Sequence, residues 1–445
     1  MKKIMTFLVS SFLLTSCSSQ TNDKAVSEPI EQAPTEPVFT EYQESDFTDI
    51  PVKLNKQETE PPVAVKSFDL TGIEFEKKKS PCTLPEHRNK YLPQVIKDGR
   101  NLTYVYDEEP HPDAKKDFFV PLFEPTLPEV TAAAFDGVDL YYIADYDNIC
   151  DGYTSHCYDI YKYSTETGEN TCVYSCSDLD AEMPFTMKCH NGSLWLMECD
   201  EVYTVFRLDE EKGEFTDFHD ITKADNASFY NNGDDELMAA FVTYPKTESE
   251  TAAKYSLWEY NDDSEEWSEK MTDYFQDYAL PVIYRGKLIS ESVDDRNTAV
   301  ECEDFLLHTG IRGAKLKAVS ENQLTFMVED NISSILYTYN LTDMEKYVLD
   351  VSNVSRYMSV YPMGDNLIMG NINGGDYFYT IPELGSYFSL IKAKDDETVY
   401  VHSCGEKTAL IKCNKLNSYS VNTEYDSVEY DPITAPILKE LVVVG

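Results

Sequence analysis

Residues 136–145 read Asp-Gly-Val-Asp-Leu-Tyr-Tyr-Ile-Ala-Asp, and residues 160–174 read Ile-Tyr-Lys-Tyr-Ser-Thr-Glu-Thr-Gly-Glu-Asn-Thr-Cys-Val-Tyr. The first stretch is a tight turn followed by an alternating strand. Asp-Gly supplies the left-handed backbone that a two-residue hairpin requires, so it is a strong short-range hairpin signal. The second stretch is an aromatic strand, a polar turn and a further strand. Together they describe two hairpins, or four strands. The pair then returns along the chain. Comparable turns stand at Asp98-Gly99, Asn191-Gly192, Gly233-Asp234, Arg285-Gly286, Glu321-Asn322, Gly364-Asp365 and Asp395-Asp396, each followed by a strand. Second hairpins recur in 205–218, 257–271 and 336–349. The eight turns recur about every 42 residues, the period of four-stranded propeller blades.

A single blade leaves its edges open and cannot bury both faces, whereas a closed ring of blades does both. The fold expected is therefore all-β: one β-propeller over 67–445, of eight blades with four antiparallel strands each, seven being the alternative. The rival is an array of β-sandwiches. The spacing is uneven and shortest at the end, which leaves room for a missing strand near 370–390. No helix is expected in the folded part.

Tyr142-Ile143-Ala144-Asp145 sits where the YWTD-like propellers carry their Tyr-Trp-Thr-Asp element. From about 88 to 430 the chain resembles the loose group of YWTD-like and TolB-like β-propellers. That resemblance implies a fold, and a setting among secreted and lipid-anchored bacterial proteins.

The charge balance narrows the partners. There are 37 Lys+Arg against 80 Asp+Glu, a net of −43 with a pI near 4.3. Nucleic acid and anionic lipid headgroups both demand a basic surface, so neither is expected as a partner. With 42% hydrophobic and 13% aromatic residues, the chain is too apolar for a disordered acidic tail.

Met1-Lys2-Lys3 followed by the eleven residues Ile4 to Leu14 has the form of a secretory leader, too short to span a bilayer. It ends in Leu14-Thr15-Ser16-Cys17, which looks like a bacterial lipobox. The resemblance implies a signal peptide over 1–16, removed on export, and an acylated (palmitate-type) Cys17 as the new first residue. Two acyl chains on one residue suffice for stable anchoring. Residues 17–66 carry six prolines (Pro29, Pro34, Pro37, Pro51, Pro61, Pro62) and ten acidic residues after Cys17, and read as a disordered tether. The expected location is the extracytoplasmic side of a cell membrane, held by the lipid.

In a propeller, the loops joining second to third strands share a face with the connections between blades. Four such loops read as long, at 107–117, 145–159, 243–254 and 292–300, and long loops on a rigid scaffold are where binding residues gather. Within 145–152, Asp145, Asp147, Asn148 and Asp151 offer oxygens for calcium, but the spacing departs from Asp-x-Asp-x-Asp-Gly, and such clusters usually form turns.

Ten cysteines follow Cys17. Cys172 and Cys176 lie about 13 Å apart along a strand, too far for a bridge. The Asn191-Gly192 turn sets Cys189 opposite Leu194, which leaves Cys199 out of reach. Cys150 and Cys157 bracket one loop and are the possible disulfide. His156, His190 and His402 lie near cysteines, but no Cys-x-x-Cys pair supports zinc.

No nucleophile elbow, phosphate loop or His-Glu-x-x-His motif is present. No catalytic residue, cofactor or metal ligand is therefore assigned. The sequence predicts a lipid-anchored propeller acting as a binding or scaffold protein through its loop-rich face, for a protein or glycan partner. A carbohydrate-active enzyme with paired carboxylates is one alternative. An accessory subunit of an envelope machine, implied by the resemblance, is the other.

Overall fold

Alternating apolar side chains give a strand two buried faces only when sheets stack on both sides of it. A computed structural model describes residues 39–56, 60–71, 73, 94–95, 102–103, 129–150, 153–176, 183–230, 236–246, 252–275, 282–293, 297–329, 333–354, 358–371, 375–395, 397–414 and 437–445. Within them lie seven sheets of four or five strands. Each is built on an antiparallel meander, so each is a blade. The blades run 129–175, 186–222, 226–275, 282–308, 315–350, 358–392 and 397–444, numbered 1 to 7. First strands pack together between blades 1 and 2, 2 and 3, 4 and 5, 5 and 6, and 7 and 1, and shared apolar clusters join blades 3 to 4 and 6 to 7, which closes the ring around an axis. Each seam between blades has its own apolar core. Tyr142 and Ile411 meet in the 7–1 seam, Ile143 and Phe206 in the 1–2 seam, and Phe326 and Val300 in the 4–5 seam.

Seven blades replace the expected eight, for two reasons. Asp98-Gly99 lies outside the described residues, and the strands that flank it, Gln94–Val95 and Leu102–Thr103, pair with each other in a two-stranded sheet apart from the seven. Asp395-Asp396 lies not within a blade but between Ser386–Lys392, the last meander strand of blade 6, and Glu397–Cys404, the first of blade 7. Blade 7 makes its own first turn at Gly405-Glu406, with Gly405 at φ +55°. Turn chemistry marks a reversal but does not say which strands it joins. Nor is a strand missing near 370–390, where Asp376–Ile381 and Ser386–Lys392 complete blade 6. One 3-10 turn, Glu44–Asp46, interrupts the strands, and no helix among the described residues is long and apolar enough to cross a membrane.

The acidic, proline-bearing segment differs most from its reading as a tether. From Thr40 onward it is a strap on the outer rim. Thr40–Gln43 pairs in parallel with Phe305–His308 of blade 4, Thr48–Lys53 with blade 5, and Asn55–Lys56 with blade 6. Val65–Asp69 then pairs antiparallel with Leu438–Val444 and supplies the fourth strand of blade 7. Low apolar content predicts disorder only when the segment must bury itself. Here the blades provide the apolar surface. Phe47 is buried edge-on against Tyr339 at 5.0 Å, while Ile50 and Val52 pack on blades 5 and 6. The buried Lys346 holds the strap by charge, 2.9 Å from Glu44 and 3.5 Å from Asp49. Residues 17–38 lie outside the described residues.

Candidate binding cleft

The seams on the two sides of blade 3 differ in what the sequence places there. Strand alternation points Trp258 and Tyr260 of Ala253–Asn261 and Trp267 of Glu266–Phe275 toward blade 2. They meet Trp195, whose ring centroid lies 4.6 Å from Tyr260 and 6.3 Å from Trp267. The Arg207 guanidinium stands 5.9 Å over the Trp195 ring and pairs with Asp217, a bulged residue at φ +54°. At the turn end of this seam His190 Nε2 lies 3.1 Å from Asp262, and Asn191 donates to the same carboxylate at 3.0 Å. Burial, with Glu265 next in effect, holds the Tyr260 hydroxyl above its usual pKa. Trp258 and Trp267, both half-buried, keep indole N–H groups with no acceptor among the described residues.

The opposite side of blade 3 carries Met238, Ala240, Val242, Ala253, Tyr255 and Leu257. Blade 4 meets them with only Ile283 and Leu288 among the buried apolar side chains described. Near the axis the seam is pinned by Tyr230, whose hydroxyl donates to the Ile283 carbonyl (3.0 Å) and accepts from the Ile283 N–H (2.9 Å). Toward the rim it opens into a cleft of about 580 Å³. Met271, Leu288, Cys302 and Phe39 form its apolar surface; Thr272, Asp273, Lys287, Ser290, Glu301 and Glu303 form the rest. Phe39 stands out there at 52% exposure, while Tyr274 is exposed on the other face of the same strand as Asp273.

The cleft is acidic. The one ammonium among its described lining residues, Lys287, donates to Asp304 at 2.6 Å and lies 3.3 Å from Glu303. The Asp304 hydrogen bond raises the Lys287 pKa further, so this cation is fixed and already neutralised. Asp273 and Glu301 meet no cation among the described residues. Burial pushes the Cys302 thiol up, which keeps it protonated and unreactive. A concave, ligand-sized surface with an apolar floor and a few charged groups can bind.

The residues singled out from sequence lie elsewhere. Cys17 is outside the described residues, as is the predicted loop at 107–117. The stretches 145–159 and 292–300 are not long loops: strands Asp139–Cys150 and Tyr153–Ser164 fill the first, and Lys287–Val293 and Thr298–Cys302 most of the second. Backbone register pairs Cys150 with Tyr153 and Cys157 with Tyr146; the side chains of the two cysteines, and so the predicted bridge, lie outside the described residues. The oxygen-rich stretch runs into strand Asp139–Cys150, and its side chains from 146 onward lie outside the described residues. Cys189 pairs with Leu194, as the Asn191-Gly192 turn dictates. His190 and His402 stand on blades 2 and 7, and no three His, Cys, Asp or Glu side chains converge on a metal geometry among the described residues. The cleft itself escaped sequence reading. Its only trace is the hairpin 257–271, whose outer edge was not known to be open.

No protein-family model matches the chain, and no curated protein does. Among solved structures, the β-propeller domain of the Trilobed protease from Pyrococcus furiosus is 12% identical with a TM-score of 0.45, over 66% of this chain and 91% of that one. An acylaminoacyl peptidase in complex with Z-Gly-Gly-Phe-chloromethyl ketone is 10% identical with a TM-score of 0.44, over 65% of this chain. The chain spans 50% of that peptidase's length. BamB from Moraxella catarrhalis is 10% identical with a TM-score of 0.30, over 79% of this chain and 95% of that one. From its own strand pairing and cleft, the chain is a seven-bladed β-propeller with an acidic, ligand-sized opening on its rim.

Proposed function

We propose that the chain is a lipid-anchored propeller on the extracytoplasmic side of a cell membrane, acting by binding and not by chemistry. The leader and lipobox ending at Cys17 support the anchor. The observation that carries the binding role is the rim cleft between blades 3 and 4, a built concavity lined in part by the exposed ring of Phe39. In this reading the rim takes the place of the loop-rich face as the contact surface. Because the strap is already on the ring at Thr40, residues 18–38 are the lead between lipid and propeller.

Expression of the full chain in a bacterium with an alkyne analogue of palmitate tests the anchor. The wild type should take up label and sediment with membranes, and Cys17→Ala should lose both. Equal labelling and sedimentation of the two would overturn it. Protease added to intact cells or spheroplasts should cut the wild type, and protection in both preparations would overturn the extracytoplasmic placement.

A further inference from the structure

The outermost strand of a propeller blade leaves a row of backbone N–H and C=O groups open to pairing. In this chain three of those edges are covered, by parallel strap strands on blades 4, 5 and 6. The same surface chemistry therefore already accepts an added strand three times. Blade 3, next in the series, ends in Glu266–Phe275, which pairs on one side only among the described residues. Beyond the register shift opposite Leu257 and Trp258, Met271 to Phe275 pair regularly with Leu257 to Ala253, and on this stretch the Tyr274 N–H donates to Asp273 Oδ1 at 2.8 Å, a bond that an added strand would exchange for its own. Blade 2 differs: its last strand is bulged in two places, and Asp217 at φ +54° bends the edge. Blade 1 ends in only six residues, with a shift between Cys172 and Tyr174.

We propose that the blade 3 edge and the adjoining cleft form a docking groove for an extended, basic segment of a partner protein, added as a further strand along Met271 to Phe275. This deepens the binding role proposed above and rests on it. Backbone pairing supplies affinity that any sequence can use, and the cleft supplies selection. Side chains of an added strand alternate, so every second one faces the cleft. There Asp273 and Glu301 call for Lys or Arg, since Lys287 is already held by Asp304 and Glu303. Leu288, Met271 and the exposed Phe39 take apolar side chains. The net charge of −43 draws basic segments in from a distance. A polyanion is repelled by the same field.

The test uses the purified full chain and a fluorescein-labelled peptide of alternating lysine and valine, read by anisotropy at near-physiological salt. A second peptide has the same sequence with alternate backbone nitrogens methylated, so it keeps its charge but cannot pair as a strand. The unmethylated peptide should bind and the methylated one should bind at least tenfold more weakly, about 1.4 kcal/mol or more. The double variant Asp273→Lys/Glu301→Lys should weaken binding at least tenfold as well. Glu166→Lys/Glu169→Lys, an equal charge change on the exposed turn of blade 1, should leave it unchanged. Circular dichroism and thermal melts verify that the variants fold. Equal binding of the two peptides, or equal loss in the two double variants, would reduce the effect to general charge attraction and overturn the groove. No binding of the unmethylated peptide, or its displacement by a neutral oligosaccharide, would overturn it too. Membrane labelling of Cys17 is read separately, so failure here and failure of the anchor are told apart.

Discussion

Blade 3 meets blade 2 across a seam holding all three tryptophans of the chain, and meets blade 4 across one where, among the described residues, its neighbour buries only the apolar Ile283 and Leu288. The two seams differ in the side-chain volume they hold. Aromatic residues bury roughly 150–250 Å² each and fill the widening gap between twisted sheets. Aliphatic ones fill it near the axis, where blades converge, and leave it open at the rim. One seam thus becomes core and the other a cleft. The filled seam holds the ring together, and the open one leaves surface for a partner.

The largest expected effect breaks the filled seam. Trp195 is 2% exposed and touches Tyr260, Trp267 and the Arg207 guanidinium. Trp195→Ala should cost about 3–5 kcal/mol, the range for aromatic deletions that leave a cavity, measured by urea unfolding. A loss under about 1 kcal/mol would mean that the two seams are equivalent and the contrast is false.

A third place, blade 7, sharpens the contrast through pH. His402 sits on its first strand, and burial pushes the imidazole from an ordinary 6.5 down to about 4. The folded chain therefore keeps His402 neutral where the unfolded chain gains a proton. Its stabilising contribution is complete above pH 6.5 and is lost as pH falls from 6.5 toward 4, by on the order of 3 kcal/mol. Between about pH 7.5 and about pH 5 the wild type should lose more unfolding free energy than His402→Gln. Parallel losses would show that the ring closure carries no such proton linkage.

Much of this was legible in the sequence, and what was not has physical causes. Turns such as Asp136-Gly137 and Asn191-Gly192 fixed hairpins and register down to the pairing of Cys189 with Leu194, because turn geometry is local. The blade count failed where a turn's partners are decided by closure, as at Asp395-Asp396. The strap was illegible because residues 40–56 contribute little apolar surface of their own; Phe47, Ile50 and Val52 gain theirs from blades hundreds of residues away. The cleft was illegible because it arises where side chains are small. Sequence patterns report which residues are apolar, and a gap is set by how far apart the sheets hold them.

Leu288 tests the open seam with a smaller effect. At 8% exposure it is one of two blade 4 residues in its cluster, and it also lines the cleft. Truncation there enlarges a space already connected to water, so the lost contacts are fewer and no sealed cavity forms. Leu288→Ala should cost about 2 kcal/mol, at the low end for leucine truncation. A cost matching that of Trp195→Ala would show that the cleft is closed in solution.

The smallest effect is at the pin that keeps the open seam from opening further. Tyr230 both donates to and accepts from the backbone of Ile283, so Tyr230→Phe leaves an N–H and a C=O without this partner while preserving the ring. Global stability should fall by about 1 kcal/mol, since each bond contributes modestly net of water. The local effect should be clearer: amide hydrogens of Val282–Tyr284 should exchange about tenfold faster, while those of Ser193–Cys199 in the filled seam keep their rates. If both strands speed up together, blades 2, 3 and 4 open as one unit, and the two seams of blade 3 do not act independently.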